Sequence, residues 1–302
     1  MAEYSSWLWI VFTIAAAASQ VARNAMQRGL TTRLGTTGAA HVRFLYGLPF
    51  ALIFLAVMLA VVQLGPLQMD GGFLLWLIAG SMTQIFATAW MLSAMRDRSF
   101  VVTTAIIKTE PIQVALFAAV FLGEILGWIA IVAILIATTG VLVMSWPKSG
   151  SDTSHRIGAR AVWVGLAAGG AFALSSVGYR GAILALGEAP FYARATITLA
   201  CGLLLQSVVL SLWLRWREPG RLTEIFAAWR PSMLAGFMGA LGSQMWFLAF
   251  SVQSVAMVRT LALVEVLFAQ VISRRIFSQN ASRAELLGIV LIIVGVVVLL
   301  NA

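Results

Sequence analysis

Apolar residues run for roughly twenty positions at a time along this chain, and each run ends at a Gly, Pro, polar or charged break. The runs fall at 5–28, 37–63, 73–95, 99–122 and 125–146, then at 160–186, 190–214, 231–251, 254–276 and 284–300. A helix rising 1.5 Å per residue needs about 20 apolar residues to cross the hydrocarbon of a bilayer. The pattern therefore predicts an all-α integral membrane protein of ten transmembrane helices. A polar linker from Pro147 to Gly158, carrying Lys148, Asp152, His155 and Arg156, divides the first five runs from the last five. No polar stretch is long enough for a soluble domain.

Composition agrees. Of 302 residues, 61% are hydrophobic and 10% charged, whereas a soluble domain carries about a quarter charged residues. The net charge of +9 is spread over short loops. No basic stripe interleaved with aromatics appears, which argues against a nucleic-acid partner. Cys201 has no second cysteine to pair with and reads as a buried structural thiol. Met1 to Ser6 contain no Lys or Arg, and the apolar run that follows is too long for a signal peptide, so a retained first helix is expected.

The connections after the odd-numbered runs hold Arg28, Arg33, Arg96, Arg98, Lys148, Arg156, Arg160, Arg215, Arg217, Arg221, Arg230, Arg274, Arg275 and Arg283. The even-numbered connections and both termini hold no Lys or Arg, and Glu3, Asp70 and Glu188 lie there instead. Basic short loops stay cytoplasmic, so both termini are expected on the non-cytoplasmic side.

The halves match at an offset near 155 residues. Ser19 corresponds to Ser175, Gly80 to Gly236, Trp90 to Trp246 and Glu110 to Glu265, while Arg43 and Arg194 match with a shorter offset. Five helices is an odd number, so the second half would insert upside down. Such inverted repeats are a design of secondary transporters, with the substrate site near mid-membrane.

The segments Ala40-His41-Val42-Arg43-Phe44-Leu45, Thr109-Glu110-Pro111-Ile112 and Phe121-Leu122-Gly123-Glu124 resemble the drug/metabolite transporter superfamily, in particular its ten-helix EamA-type members. Val264-Glu265-Val266-Leu267 and Glu285-Leu286-Leu287-Gly288 repeat the pattern more loosely. The resemblance implies two five-helix EamA-like repeats, 1–146 and 159–302, joined by a cytoplasmic linker at 147–158. It also implies a central cavity lined by the first four helices of each half, with the fifth and tenth peripheral. It implies transport of small metabolites, often outward, in the cell inner membrane. This chain departs from the pattern in two ways: Val266 stands where a second proline would be, and many relatives place their termini inside.

Six basic residues remain within the runs: Arg23, Arg43, Lys108, Arg180, Arg194 and Arg259. Two acidic residues, Glu110 and Glu265, lie at depth. A charge at the bilayer centre costs roughly 2.5–3.5 kcal/mol on insertion scales, so each should face the bundle interior or water. Arg23, Arg43, Arg180 and Arg194 lie near helix ends, where snorkelling to the interface and lining a cavity are equally open readings. Lys108 and Glu110 are too deep for that. Two residues apart on a helix they do not face each other, so the expected partners are crossed: Lys108 with Glu265, and Glu110 with Arg259 or another arginine. A purely structural network remains the alternative.

Pro111 lacks an N–H, so the carbonyl of Ile107 loses its helical partner and a kink is expected there. Gln84, Trp90, Gln244 and Trp246, deep in the third and eighth runs, read as cavity walls, gates or core. The small-residue faces Gly165–Gly169–Ala173 and Ala235–Gly239–Ser243 read as helix-packing surfaces. His41 reads as solvated near the interface. The chain shows no catalytic constellation and no nucleotide-binding motif, its two histidines make no metal cluster, and no cofactor is expected.

These features together predict a secondary transporter of an anionic or zwitterionic metabolite, working by alternating access, with protons as the coupling ion and Glu110 and Glu265 as their carriers. Homodimerisation is left open. A membrane sensor or assembly subunit, and less readily a membrane-embedded enzyme, are the competing classes.

Overall fold

The computed structural model describes residues 7–63, 69–94, 105–145, 159–268 and 282–302. The linker at 147–158, the start of the fourth run and the end of the ninth lie outside the described residues. The helices are α1 Leu8–Leu45, α2 Leu48–Val61, α3 Gly71–Ala94, α4 Glu110–Leu122, α5 Trp128–Ser145, α6 Ala159–Ala185, α7 Phe191–Arg217, α8 Arg221–Ala227, α9 Trp229–Val252, α10 Val255–Leu261 and α11 Arg283–Leu300. Among the described residues, seven segments are long and apolar enough to cross a membrane, and Trp128–Met144 is a shorter apolar helix.

α1 is two helices joined at Gly35, whose φ of 69° and ψ of 179° suit only glycine. In one straight helix Gln27 and Ala39 would lie about 18 Å apart along the axis. Instead the Gln27 amide donates to the Ala39 carbonyl at 2.9 Å, so the two arms fold back on each other. The break expected between the first two runs therefore sits at Gly35. A second interruption, at Tyr46–Gly47, precedes Pro49 at the start of α2. Proline cannot return a hydrogen bond to the carbonyl of Leu45.

The described residues group into two compact units. The first comprises 1–85 and 178–253, the second 86–177 and 254–302. Each draws helices from both sequence halves, and α3 and α6 contribute to both.

In the first unit, α9 lies against the folded-back α1. A Cβ added at Gly236 would stand 2.5 Å from the Tyr46 backbone, and one at Gly239 would meet Arg43 at 3.2 Å. The small-residue face read from Ala235, Gly239 and Ser243 is buried as expected. α8, left as loop by the hydrophobic pattern, is a short helix pinned by Ile225, whose carbonyl accepts from the Tyr46 hydroxyl at 3.0 Å.

In the second unit, α5 and α11 pack together through Ala137, Gly140, Gly288, Ile292 and Gly295. Helix ends in this unit explain two sequence motifs. Gly123 ends α4 in the left-handed conformation (φ 68°), and the next N–H, of Glu124, closes back on Ala118. The Glu124 carboxylate then accepts from the Val255 N–H at 3.3 Å, at the start of α10. In the second half, Glu285 forms a reciprocal capping box with Ser282 at the start of α11. Replacing Ser282 by alanine is expected to lower stability by about 1 kcal/mol, read as a modest fall in melting temperature.

Candidate functional site

Four ionisable side chains of the second unit converge as two ion pairs. Lys108 pairs with Glu265, and Arg259 Nη2 donates to Glu110 Oε2 at 2.5 Å. This is the crossed pairing expected from the sequence. Each pair links a residue of the first half to one of the second.

Both pairs sit at interrupted helices. Residues 105–107 are helical, Lys108 and Thr109 form a turn, and α4 begins at Glu110. Residues 255–261 are helical, Ala262 and Leu263 form a turn, and 264–268 resume the helix. The turns are closed by tightened bonds, Lys108 N–H to Ala105 and Leu263 N–H to Thr260, at positions 155 residues apart. Glu110 therefore lies at the start of a helix and Arg259 in the last turn of one. Those are the ends where the helix dipole favours an anion and a cation respectively.

This geometry corrects the sequence reading in two respects. Lys108 is in a turn, not midway along an unbroken helix. Pro111 occupies the first turn of α4, where its missing N–H is no loss. The matching interruption has Val266 in the proline's place, so proline is not what the two breaks share. They share the following glutamate and its partner across the pair.

Glu110 and Glu265 are buried, 5% and 6% exposed, while the Lys108 side chain is 23% exposed and forms the open edge of the cluster. Glu110 Oε1 is buried with no hydrogen-bond partner among the described residues. One carboxylate oxygen is thus held by Arg259 and the other presents an acceptor. The Thr109 hydroxyl donates to the Ile106 carbonyl at 2.7 Å, and Gln113 reaches Thr109 Oγ1 at 3.4 Å. A Cβ at Gly169 would lie 3.3 Å from the Ile107 carbonyl, so the α6 backbone closes over the turn. Trp90, also in this unit, is exposed and ring-paired with Phe86.

Seven candidates lie in the first unit. Arg23 and Arg43 are inside the protein, 3% and 4% exposed, beside Gly239. Burial removes the snorkelling reading for these two. Arg180 donates to the Phe250 carbonyl, and Arg194 is half-buried. Gln84 Oε1 accepts from the Tyr179 hydroxyl at 3.1 Å and from Gln206 at 2.8 Å. Gln244 donates to Thr196 at 3.0 Å. Trp246 is buried and stacked on Phe250, unlike its sequence counterpart Trp90. His41, expected to be solvated, is fully buried and pairs through Nε2 with Ser211 at 3.0 Å.

Residues 7–146 match the EamA-like transporter family. Over this stretch, just under half of the chain, it is similar to that family. With seven segments long and apolar enough to cross a membrane, the chain is a multi-pass integral membrane protein whose first half is similar to a family of transporters. A solved crystal structure, titled only as that of a protein, is similar over 97% of this chain and 96% of that one, with a TM-score of 0.71 and 15% identity. At that identity the likeness speaks for the fold alone. No curated protein sequence matches.

Several polar residues of this chain escaped the sequence reading. Tyr179, Ser81 and Gln206 complete the network around Gln84. Gln206, set in the apolar run Leu203-Leu204-Leu205-Gln206, carried the same signal as Gln84: an amide in lipid-length sequence needs a buried partner. Glu124 was legible as a motif, but its capping role depends on α10 beginning 131 residues later.

Proposed function

We propose that the chain is a secondary transporter that moves a small organic anion or zwitterion, outward, across the cell inner membrane. In this reading ten helices form two inverted five-helix repeats, 1–146 and 159–302, with both termini on the non-cytoplasmic side. Transport proceeds by alternating access around the turns that interrupt the fourth and ninth apolar runs, at Lys108–Thr109 and Ala262–Leu263. Lys108, Glu110, Pro111, Arg259 and Glu265 form the centre of the site. Arg23, Arg43, Arg180, Arg194, Gln84, Gln244, Trp90 and Trp246 line the path or support its walls.

The observation that carries this reading is the pair of crossed ion pairs at two interruptions matched between the halves. Charges are expensive in a membrane and mark pathways and relays. Here they lie in or beside two short turns between helical segments, and such non-helical backbone at membrane depth is tolerated only in protein or at a wet cavity. The excess of cations over carboxylates within the apolar runs, six against two, favours a substrate with an anionic group. With no nucleotide-binding motif in the sequence, the driving force is an ion or substrate gradient.

Protons are the coupling ion in this reading, and Glu110, whose second oxygen is an open acceptor, carries them. Purified Glu110→Gln protein in proteoliposomes is expected to lose the pH dependence of substrate flux. Flux with an unchanged pH profile would remove Glu110 as the carrier, and absence of flux from the native protein for any anionic metabolite would remove the transporter reading.

A further inference from the structure

The connector between α7 and α9 joins two membrane-crossing helices, Phe191–Arg217 and Trp229–Val252, so it lies at one face of the bilayer. It carries Arg215, Arg217, Arg221 and Arg230 against Glu218 and Glu224. Both glutamates engage Arg221, at 2.9 and 2.7 Å. The positive charge of Arg215, Arg217 and Arg230 is left uncompensated by these neighbours, and all three side chains are exposed.

Two of these arginines lie over exposed indole rings: Arg217 is 4.7 Å from the Trp216 centroid and Arg230 5.4 Å from that of Trp229. Phe226 is exposed beside them on α8, while its neighbour Ile225 is fully buried and fixed by Tyr46. The connector is thus an anchored platform with its aromatic rings and guanidinium groups outward. Indoles prefer the headgroup depth of a membrane, and a guanidinium presents a planar fork that fits two phosphate oxygens.

We propose that this platform binds the phosphodiester headgroups of anionic phospholipids, with Arg217 and Arg230 as the principal ligands and Trp216, Trp229 and Phe226 seated among the acyl-chain ends. A soluble anion would need the cations but has no use for three exposed rings. A lipid uses both. The proposal is independent of the transported substrate, because no residue of the connector belongs to the ion-pair cluster.

The test is native mass spectrometry of the full-length protein titrated with phosphatidylglycerol or phosphatidylcholine. The native chain is expected to retain phosphatidylglycerol preferentially. The double variant R217A/R230A should lose that preference by roughly 25-fold, at about fivefold per arginine near a charged surface. R217K/R230K should keep more of it than the alanine pair, and R33A/R283A, which removes exposed arginines elsewhere, should keep all of it. An unchanged preference in R217A/R230A, or an equal loss in R33A/R283A, would overturn the assignment. So would displacement of the lipid by an equal concentration of inorganic phosphate, which would make the platform a soluble-anion site.

Discussion

Removing Lys108 as a charge, as in Lys108→Met, is expected to abolish substrate flux, and the reversed pair Lys108→Glu with Glu265→Lys to restore a measurable part of it. The native pair leaves Glu265 buried but neutralised. Without Lys108 that buried carboxylate loses its ion-pair partner, and deleting one partner of a buried pair costs about 3–5 kcal/mol. Lys108→Glu alone should be worse than Lys108→Met, because it brings a third carboxylate to Glu110 and Glu265. The same logic applies to Arg259 and Glu110, where both side chains are more buried than Lys108. The measurement is initial flux in proteoliposomes at matched protein content, with melting temperature recorded alongside. If the pairs serve only packing, the reversed pair restores stability and flux together, and Lys108→Met retains flux in proportion to the protein that stays folded. If they open and close during transport, the reversed pair recovers stability more fully than rate, because the substrate meets inverted charges.

The crossed pairing was legible because the sequence offered few choices. Two buried carboxylates and two cations on matched helices cannot each face lipid, and residues 108 and 110 cannot pair with each other on one helix. What sequence reasoning lacked was the local backbone. It took Pro111 as a kink in a continuous helix, yet the turn lies before Glu110 and recurs at Ala262–Leu263 without a proline. An apolar run is silent about a two-residue turn within it, since hydropathy counts side chains and a turn changes only backbone bonding. α8 was missed for a related reason: seven residues carrying Ile225 inward and Phe226 outward are too short for a periodic signal. Gly35 shows the opposite case. The polar gap around it marked a boundary, and the glycine supplied the one residue able to turn the chain there.

Leucine in place of Gly288 is expected to give a large loss of stability with little effect on mechanism. A Cβ at this position would lie 2.6 Å from the Gly140 carbonyl oxygen and 2.9 Å from the Met144 nitrogen, and one at Gly140 would lie 2.8 Å from the Gly288 oxygen and the Ile292 nitrogen. These are backbone atoms and cannot swing aside. Helices in lipid gain little from burying apolar surface against each other, so close backbone approach through small residues supplies much of the attraction. Forcing α5 and α11 apart would undo the contact along Ala137, Val141 and Ile292 as well. Overpacking a core costs about 1–3 kcal/mol, and leucine against two backbones belongs at or above the top of that range. Melting temperature should fall markedly for Gly288→Leu and by less for Gly288→Ala. Flux per folded molecule should stay near native in both, because this seam holds none of the four paired charges. Loss of flux by Gly288→Ala at temperatures where the protein remains folded would mean that α5 and α11 move during the cycle, and the ion pairs would then be only one part of the moving assembly.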